Sequence, residues 1–392
     1  MRFLARLARA VPFVLLSLCL IPPAFALPAG TPPETLRIGV LAPLSGPFAS
    51  GGSAFLQAVR LAAERANDEG GVLGRKIELV TADTQGRVEI ARSETIRLLS
   101  RENAFALIGA YLSEETVGVI EAASPARAVV VVPVAATAEI TDRVSREYDR
   151  YRYVFRIGYS IGQWAGMMAG FLSERQVRRY AFVGAAIRWN RELAGALSKA
   201  LASRGILPVY EAFYSPRSPA FEPVVLQAIE RNPEILVLGD PGGNSVTFVK
   251  TLREGRAPFP VLSVGGALGD ARVARTLPLS PPLYVQAAAW SGSSPEATRY
   301  VERFAHRYGY APVGYSDTLP HDAASILFAA IRAAGIPDAD AVVKALEAGT
   351  FQGVAGRYRF DRSHQAAWGT PDLSGVVVRW ETTGSRIVYP HR

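Results

Sequence analysis

Residues 36–85 read LRIGVLAPLSGPFASGGSAFLQAVRLAAERANDEGGVLGRKIELVTADTQ, and they describe one strand–loop–helix–strand unit. Leu36 to Leu41 is apolar apart from Arg37 and Gly39, the pattern of a strand buried on both faces of a parallel sheet. Ser45-Gly46-Pro47 then breaks the chain, and Gly51-Gly52-Ser53 is expected to open a helix with Ser53 as its N-cap. Phe55, Val59, Ala62 and Ala66 form one apolar stripe along that helix, and Gly70-Gly71 ends it. A helix N-terminus leaving a glycine-rich loop attracts anions, because its free N–H groups and its dipole point the same way. In the cytosol that arrangement suggests a nucleotide; outside the membrane it suggests a small solute.

The start of the chain favours the second setting. Arg2, Arg6 and Arg9 form a basic segment, Val11 to Ile21 a short apolar one, and Ala24-Phe25-Ala26 a small-x-small cleavage site. Residues 1–26 are therefore expected to be a signal peptide, the mature chain to begin at Leu27, and the protein to be periplasmic. Pro12, Pro22 and Pro23 interrupt the apolar stretch, which is too short to span a bilayer. A lipoprotein anchored at Cys19 is the competing reading, disfavoured by bulky Leu18 where that signal takes a small residue. Cys19 is the sole cysteine, so cleavage after Ala26 leaves neither disulfide nor thiol chemistry.

The formal net charge of +8 falls to +5 when the three leader arginines go. No dense Lys/Arg block with interleaved aromatics appears, which argues against nucleic acid. The 366 residues from Leu27 exceed one comfortable core, so two lobes are expected. Strand patterns recur at 76–83, 104–110, 128–134, 153–158, 179–184, 207–213, 234–240, 259–264 and 283–289. Helical patterns at 88–101, 113–123, 161–174, 189–204, 220–231 and 242–254 separate most of them, giving an α/β class with parallel sheets flanked by helices. Helices are further expected near 295–308, 318–334 and 338–348, followed by strand-like 376–380 and 386–389, which must join an existing sheet.

Ligands of open α/β sheets sit where strands end and loops lead into helices. The loops so placed are 45–53, 109–115, 133–137, 184–190, 239–243 and 264–267, each small, polar or glycine-rich after an apolar run. Their N–H groups and hydroxyls suit a carboxylate or an amide.

Catalytic readings are weaker. Gly46 to Ser53 is one residue short of a phosphate-binding loop and has Gly52 where the lysine belongs. Gly158-Tyr159-Ser160-Ile161-Gly162 fits G-x-S-x-G between a strand and a helix, but Ser160 also reads as the cap of the helix that follows. His306, His321, His364 and His391 show no metal-ligand spacing, and His321-Asp322 reads as an interior polar pair or a solvated face. Neither an enzyme nor a cofactor is expected.

The PLSGPFASGG loop, the later NDEGGVLGRKIEL, Gly109 to Thr116 and Val134 to Ala138 together resemble the leucine/isoleucine/valine-binding protein family, over essentially the whole mature chain. The resemblance implies a type I periplasmic-binding fold, with two Rossmann-like lobes joined by a three-stranded hinge that close on a ligand. Lobe one would be 36–156 with 288–360, lobe two 157–287 with 361–392, and the crossings would lie near 156–158, 285–290 and 358–362. It also implies a monomeric receptor that hands a small amino acid, or a related carboxylate or amide, to an inner-membrane ABC permease. A sensor feeding a signalling partner is the alternative, less favoured because no signalling or DNA-binding segment is recognisable.

By position, the resemblance implies that Ser113, Ala135 and Thr137 hold the carboxylate and amino groups of a ligand, with Trp189 added from lobe two. Ser45 and Asp240 complete the candidate set from their loops. Each has a plainer reading: Ser113 as a helix cap, Thr137, Ser45 and Asp240 as turn residues, Trp189 as surface packing. Two departures stand out. The family's acid near Gly265 is missing, leaving Asp240 or Glu114 as possible substitutes, and Gly51 replaces an aromatic residue, which predicts a more open pocket. Tyr111 and Ser316 are read as packing or solvated groups.

Overall fold

The computed structural model describes residues 35–217 and 220–390. The expected signal peptide and Cys19 lie outside these residues, as does His391. The first sheet is built from β1 (Leu36–Ala42), α1 (Ala49–Asp68), β2 (Ile77–Asp83), α2 (Val88–Ser100), β3 (Ala106–Ile108), α3 (Ser113–Ala123), β4 (Val129–Val132), α4 (Glu139–Arg146), α5 (Tyr148–Tyr151) and β5 (Val154–Arg156). The second comprises α6 (Ile161–Glu174), β6 (Arg179–Ala185), α7 (Arg188–Ala202), β7 (Leu207–Tyr214), α8 (Glu222–Arg231), β8 (Ile235–Gly239), α9 (Asn244–Glu254), β9 (Val261–Val264), α10 (Ala271–Ala274) and β10 (Leu283–Ala287). Then come α11 (Pro295–Tyr308), α12 (Thr318–Ala334), α13 (Ala339–Ala348), the short β11 (Phe351–Gln352) and β12 (Arg357–Tyr358), and a terminal hairpin of β13 (Val376–Glu381) and β14 (Gly384–Tyr389).

The first sheet is parallel throughout, in the order β2-β1-β3-β4-β5. Its central strands are apolar on both faces because helices cover both: β4 is four valines, all fully buried. The second sheet runs β14-β13-β10-β9-β8-β6-β7 and is mixed, the hairpin pairing antiparallel to β10 at its edge. The tail thus joins an existing sheet, as its length requires.

The chain passes from the first sheet to the second after β5 and leaves the second after β10. Helix α11 then packs with α1 through Ala58, Ala297 and Phe304, and α12 lies against α1, β3 and β4. The final hairpin returns to the second sheet. Aromatic side chains fill the region of these passages: Tyr159 lies 4.0 Å from Trp368 and 6.0 Å from Tyr315, ring centre to ring centre.

The start of α1 differs from its sequence reading. Helix α1 begins at Ala49, with Phe48 at the cap and no side-chain cap bond, so Ser53 lies inside the helix and is exposed. Gly51 and Gly52 are there for close approach rather than initiation. A Cβ on Gly52 would sit 1.9 Å from the Pro43 carbonyl oxygen, and one on Gly51 2.2 Å from the Tyr111 hydroxyl. At the other end, Gly70 and Gly71 take φ of 94° and 81°, a conformation that stops the helix as expected.

The remaining motifs have structural roles. Ser160 accepts from the Gln163 N–H while Gln163 Oε1 accepts from the Ser160 N–H, a capping box that opens α6. His321 and Asp322 are buried, and Asp322 accepts from the Val354 and Ala355 N–H groups and the Tyr358 hydroxyl, fixing the segment around β12.

Candidate functional site

Two loops from the carboxyl ends of the first sheet's strands face three from the second. From the first sheet come Tyr111, Leu112 and Ser113 after β3, and Val134, Ala135 and Ala136 after β4. Opposite stand Ile187 and Trp189 at the start of α7, Pro241 after β8 and Gly265 after β9. Trp164 of α6 and Tyr315, just before α12, close the sides. They enclose about 30 Å³, room for a water or two. A larger hollow of about 470 Å³, beside Trp290 and Trp380, lies away from these loops.

The wall is aromatic and uncharged. Trp164 meets Trp189 edge to face at 5.7 Å and Tyr315 at 4.7 Å. Tyr315 donates its hydroxyl proton to the Val134 carbonyl at 3.1 Å, and Tyr111 donates to the Pro241 carbonyl at 3.2 Å, tying loops of the two sheets together. Burial holds both phenols well above their ordinary pKa, so they stay neutral. The Trp164 indole N–H is buried and makes no hydrogen bond.

The candidate residues separate into three groups. Ser113, Ala135 and Trp189 line the cavity. Ser113 is the first residue of α3 rather than its cap, and its hydroxyl accepts from the Thr137 N–H at 3.3 Å. Thr137 is buried beside the cavity with its hydroxyl turned outward, donating to Glu192 Oε1 at 2.9 Å. Ser45 and Asp240 lie outside the wall. Ser45 is exposed and donates to Asp83 at 2.7 Å, which shapes the β1–α1 loop. Asp240 is buried but accepts from the Tyr214 hydroxyl and, at 2.7 Å, from the Gly242 N–H. Burial pushes its carboxyl up to about 6, those two hydrogen bonds pulling the other way.

The expected open pocket is corrected. The space vacated by the glycine at 51 is filled by the Tyr111 hydroxyl, so Tyr111 is a wall residue; Ser316 is buried but not in the wall. Glu114 does not line the cavity either, and burial raises its pKa. Beyond the wall, Arg188 of α7 pairs with Glu139 of α4 and with Glu192, both at 2.7 Å, a further link between elements of the two sheets.

Trp164, Tyr315, Glu192 and Arg156 were missed by sequence reasoning. Trp164 and Tyr315 sit at helix starts beside the chain passages, so an aromatic one turn past the cap Ser160 was a usable signal. Glu192 lies one turn beyond Trp189 and carried none of its own.

Residues 35–384 match the family model described as periplasmic binding protein. A Leu/Ile/Val-binding protein homolog 7 of Brucella abortus is 26% identical over 397 residues, covering 93% of this chain and 94% of that protein. The fold is that of a solute-binding protein of an ABC transporter from Rhodopseudomonas palustris in complex with benzoate, with a TM-score of 0.79, 20% identity, and coverage of 91% and 96%. It is also that of the branched-chain amino acid transporter protein LivJ of Streptococcus pneumoniae in complex with isoleucine, with a TM-score of 0.76, 17% identity, and coverage of 91% and 100%. These neighbours bind solutes and are not enzymes.

Proposed function

The chain belongs to the periplasmic binding protein family, and on that footing we propose that it is the extracytoplasmic solute receptor of an ABC importer, exported by residues 1–26. Its solute is a small carboxylate with an apolar or aromatic body. One observation carries this reading: the cavity wall contains no charged side chain, yet it abuts Ser113 at the start of α3. A carboxylate is stabilised by helix N–H groups and their dipole. An ammonium would need a carboxylate partner, and a buried cation without one is costly. The benzoate complex among the structural neighbours supports the same class.

The proposed lobes are 36–156 with 288–360, and 157–287 with 361–392. Ser113 and the backbone around Ala135 hold the carboxylate on lobe one, while Trp164 and Trp189 cover the body from lobe two on closure. Thr137 acts at the seam, through Glu192. Ser45 and Asp240 shape their loops. Ligand shifts the balance between open and closed forms by bridging the lobes, and an inner-membrane permease complex receives it.

A thermal-shift panel on the chain from Leu27 tests this, comparing carboxylates, their amides and amino acids. A ligand at about a hundred times its Kd stabilises by about 2.7 kcal/mol, enough for a shift of a few degrees. Benzoate-like or aliphatic acids should give that shift and zwitterionic amino acids should not. Stabilisation by amino acids alone, or by nothing in the panel, sinks the reading.

A further inference from the structure

Arg156, the last residue of β5, is fully buried, and every hydrogen bond of its guanidinium goes to an uncharged acceptor. Nε donates to Gln365 Oε1, Nη1 to the Thr137 carbonyl, and Nη2 to Thr141 Oγ1 at 3.0 Å. Gln365 in turn donates to the Gly158 carbonyl at 2.8 Å, so this cluster joins the segment after β5 to the later passage near 365. Among the described residues no carboxylate forms an ion pair with Arg156; Asp142, Asp361 and Glu192 act on it from farther off. Burial pulls its pKa down to about 10.

A buried cation is costly without an anion close by. This one stands directly behind the cavity. Thr137, whose carbonyl it holds, follows Ala135 and Ala136 in the wall, and Tyr315 of the wall lies within reach of its charge.

We infer that Arg156 sets the charge selectivity of the site: an anionic solute supplies the counter-charge that the protein withholds from this buried guanidinium. The inference rests on the proposal that the solute is a carboxylate. Arg156 does not line the cavity, so it is a positioning residue, acting through its field and through the Thr137 loop. At an effective dielectric of about 20, a charge one layer behind the wall favours an anion by on the order of tenfold or more in affinity. The α3 N-terminus adds in the same direction.

The test leaves Arg156 in place and pairs it. Thr141→Asp and Gln365→Glu each bring a carboxylate to the guanidinium from a different segment. Titration calorimetry on the protein from Leu27 compares benzoate with benzamide, and 4-methylpentanoate with its amide. Wild type should prefer each acid by about tenfold or more. Either variant should cut that preference several-fold with amide affinity held; melting temperature should hold in Thr141→Asp, whereas Gln365→Glu also gives up the bond to the Gly158 carbonyl. Arg156→Lys, which keeps the charge, should retain the preference. An unchanged acid-to-amide ratio in a folded paired variant overturns the inference. So do equal losses for acid and amide, which would give Arg156 a structural role alone. Wild type that binds none of the four compounds overturns the carboxylate reading itself, and the inference falls with it.

Discussion

The Thr137 hydroxyl donates to Glu192 Oε1 at 2.9 Å, joining the loop after β4 to α7 beside the cavity. In the clamshell proposed above, the bond belongs to the closed form, since it needs the two sheets' loops to face each other. Thr137→Val keeps the shape and removes the donor, at a cost of about 1 kcal/mol. Solute affinity should therefore fall by roughly fivefold, seen by calorimetry, with little change in the far-UV spectrum. Unchanged affinity would detach this bond from closure.

Trp189 lines the cavity and meets Trp164 edge to face at 5.7 Å. Replacing it with Ala should weaken the best small ligand by at least about tenfold, since a packed aromatic contributes a few kcal/mol. The enlarged cavity should then admit bulkier carboxylates that wild type excludes. A competition panel reads this out. Loss of folding instead of altered preference would make Trp189 a packing residue.

Gly51 and Gly52 are adjacent, but their substitution should have different effects. An Ala at 52 drives its methyl into the Pro43 backbone, which cannot yield, so stability should fall by about 1–3 kcal/mol. An Ala at 51 meets the hydroxyl and ring of Tyr111 rather than any backbone, so only that side chain has to move. Gly51→Ala should therefore leave the melting temperature nearly intact while weakening binding through the lost Tyr111–Pro241 link. Chemical denaturation and calorimetry on both variants separate the two effects.

Burial raises the carboxyls of Asp240 and Asp317 to about 6 and that of Glu115 to about 7. A folded-state pKa above the unfolded value of about 4 means that the native protein binds the extra proton. The contribution of each group is complete below about pH 4 and is lost as pH rises through 6 to 7. His364, held below its ordinary value by burial, opposes this between pH 7 and 5, but it is one group against three. Groups held low, such as Asp83 and Glu139, matter only at more acid pH. Melting temperature should rise from pH 7 to pH 5, and Asp240→Asn should flatten the slope while leaving solute binding intact. A wild-type slope in the variant would contradict the burial argument.

The sheets and the longer helices were legible in the sequence because burial leaves clear apolar runs, as in the valines of β4, whereas the short α4, α5 and α10 were not. The loops of the site were legible by rule, since strand ends in parallel sheets are fixed by topology. What those loops do to one another was not. The roles of Gly51 and Tyr111 depend on a contact between residues sixty apart, and a glycine read alone cannot distinguish vacated space from filled space. Asp240 reads as a candidate ligand partner in the sequence, but its carboxylate is occupied by the Tyr214 hydroxyl, a contact across 26 residues. Arg156 gave no signal, because an arginine at a strand end is ordinarily a solvated one.

The terminal hairpin also guards the molecule against its own kind. β13 covers the outer edge of β10 along Tyr284 to Ala287, a strand buried throughout. A product that ends before Val376, through early termination or clipping, leaves that edge bare. Unpaired strand edges recruit neighbouring chains. Material nicked in its last segment would therefore be lost to aggregation rather than accumulate in a weakened form, and the tail's integrity becomes a determinant of yield.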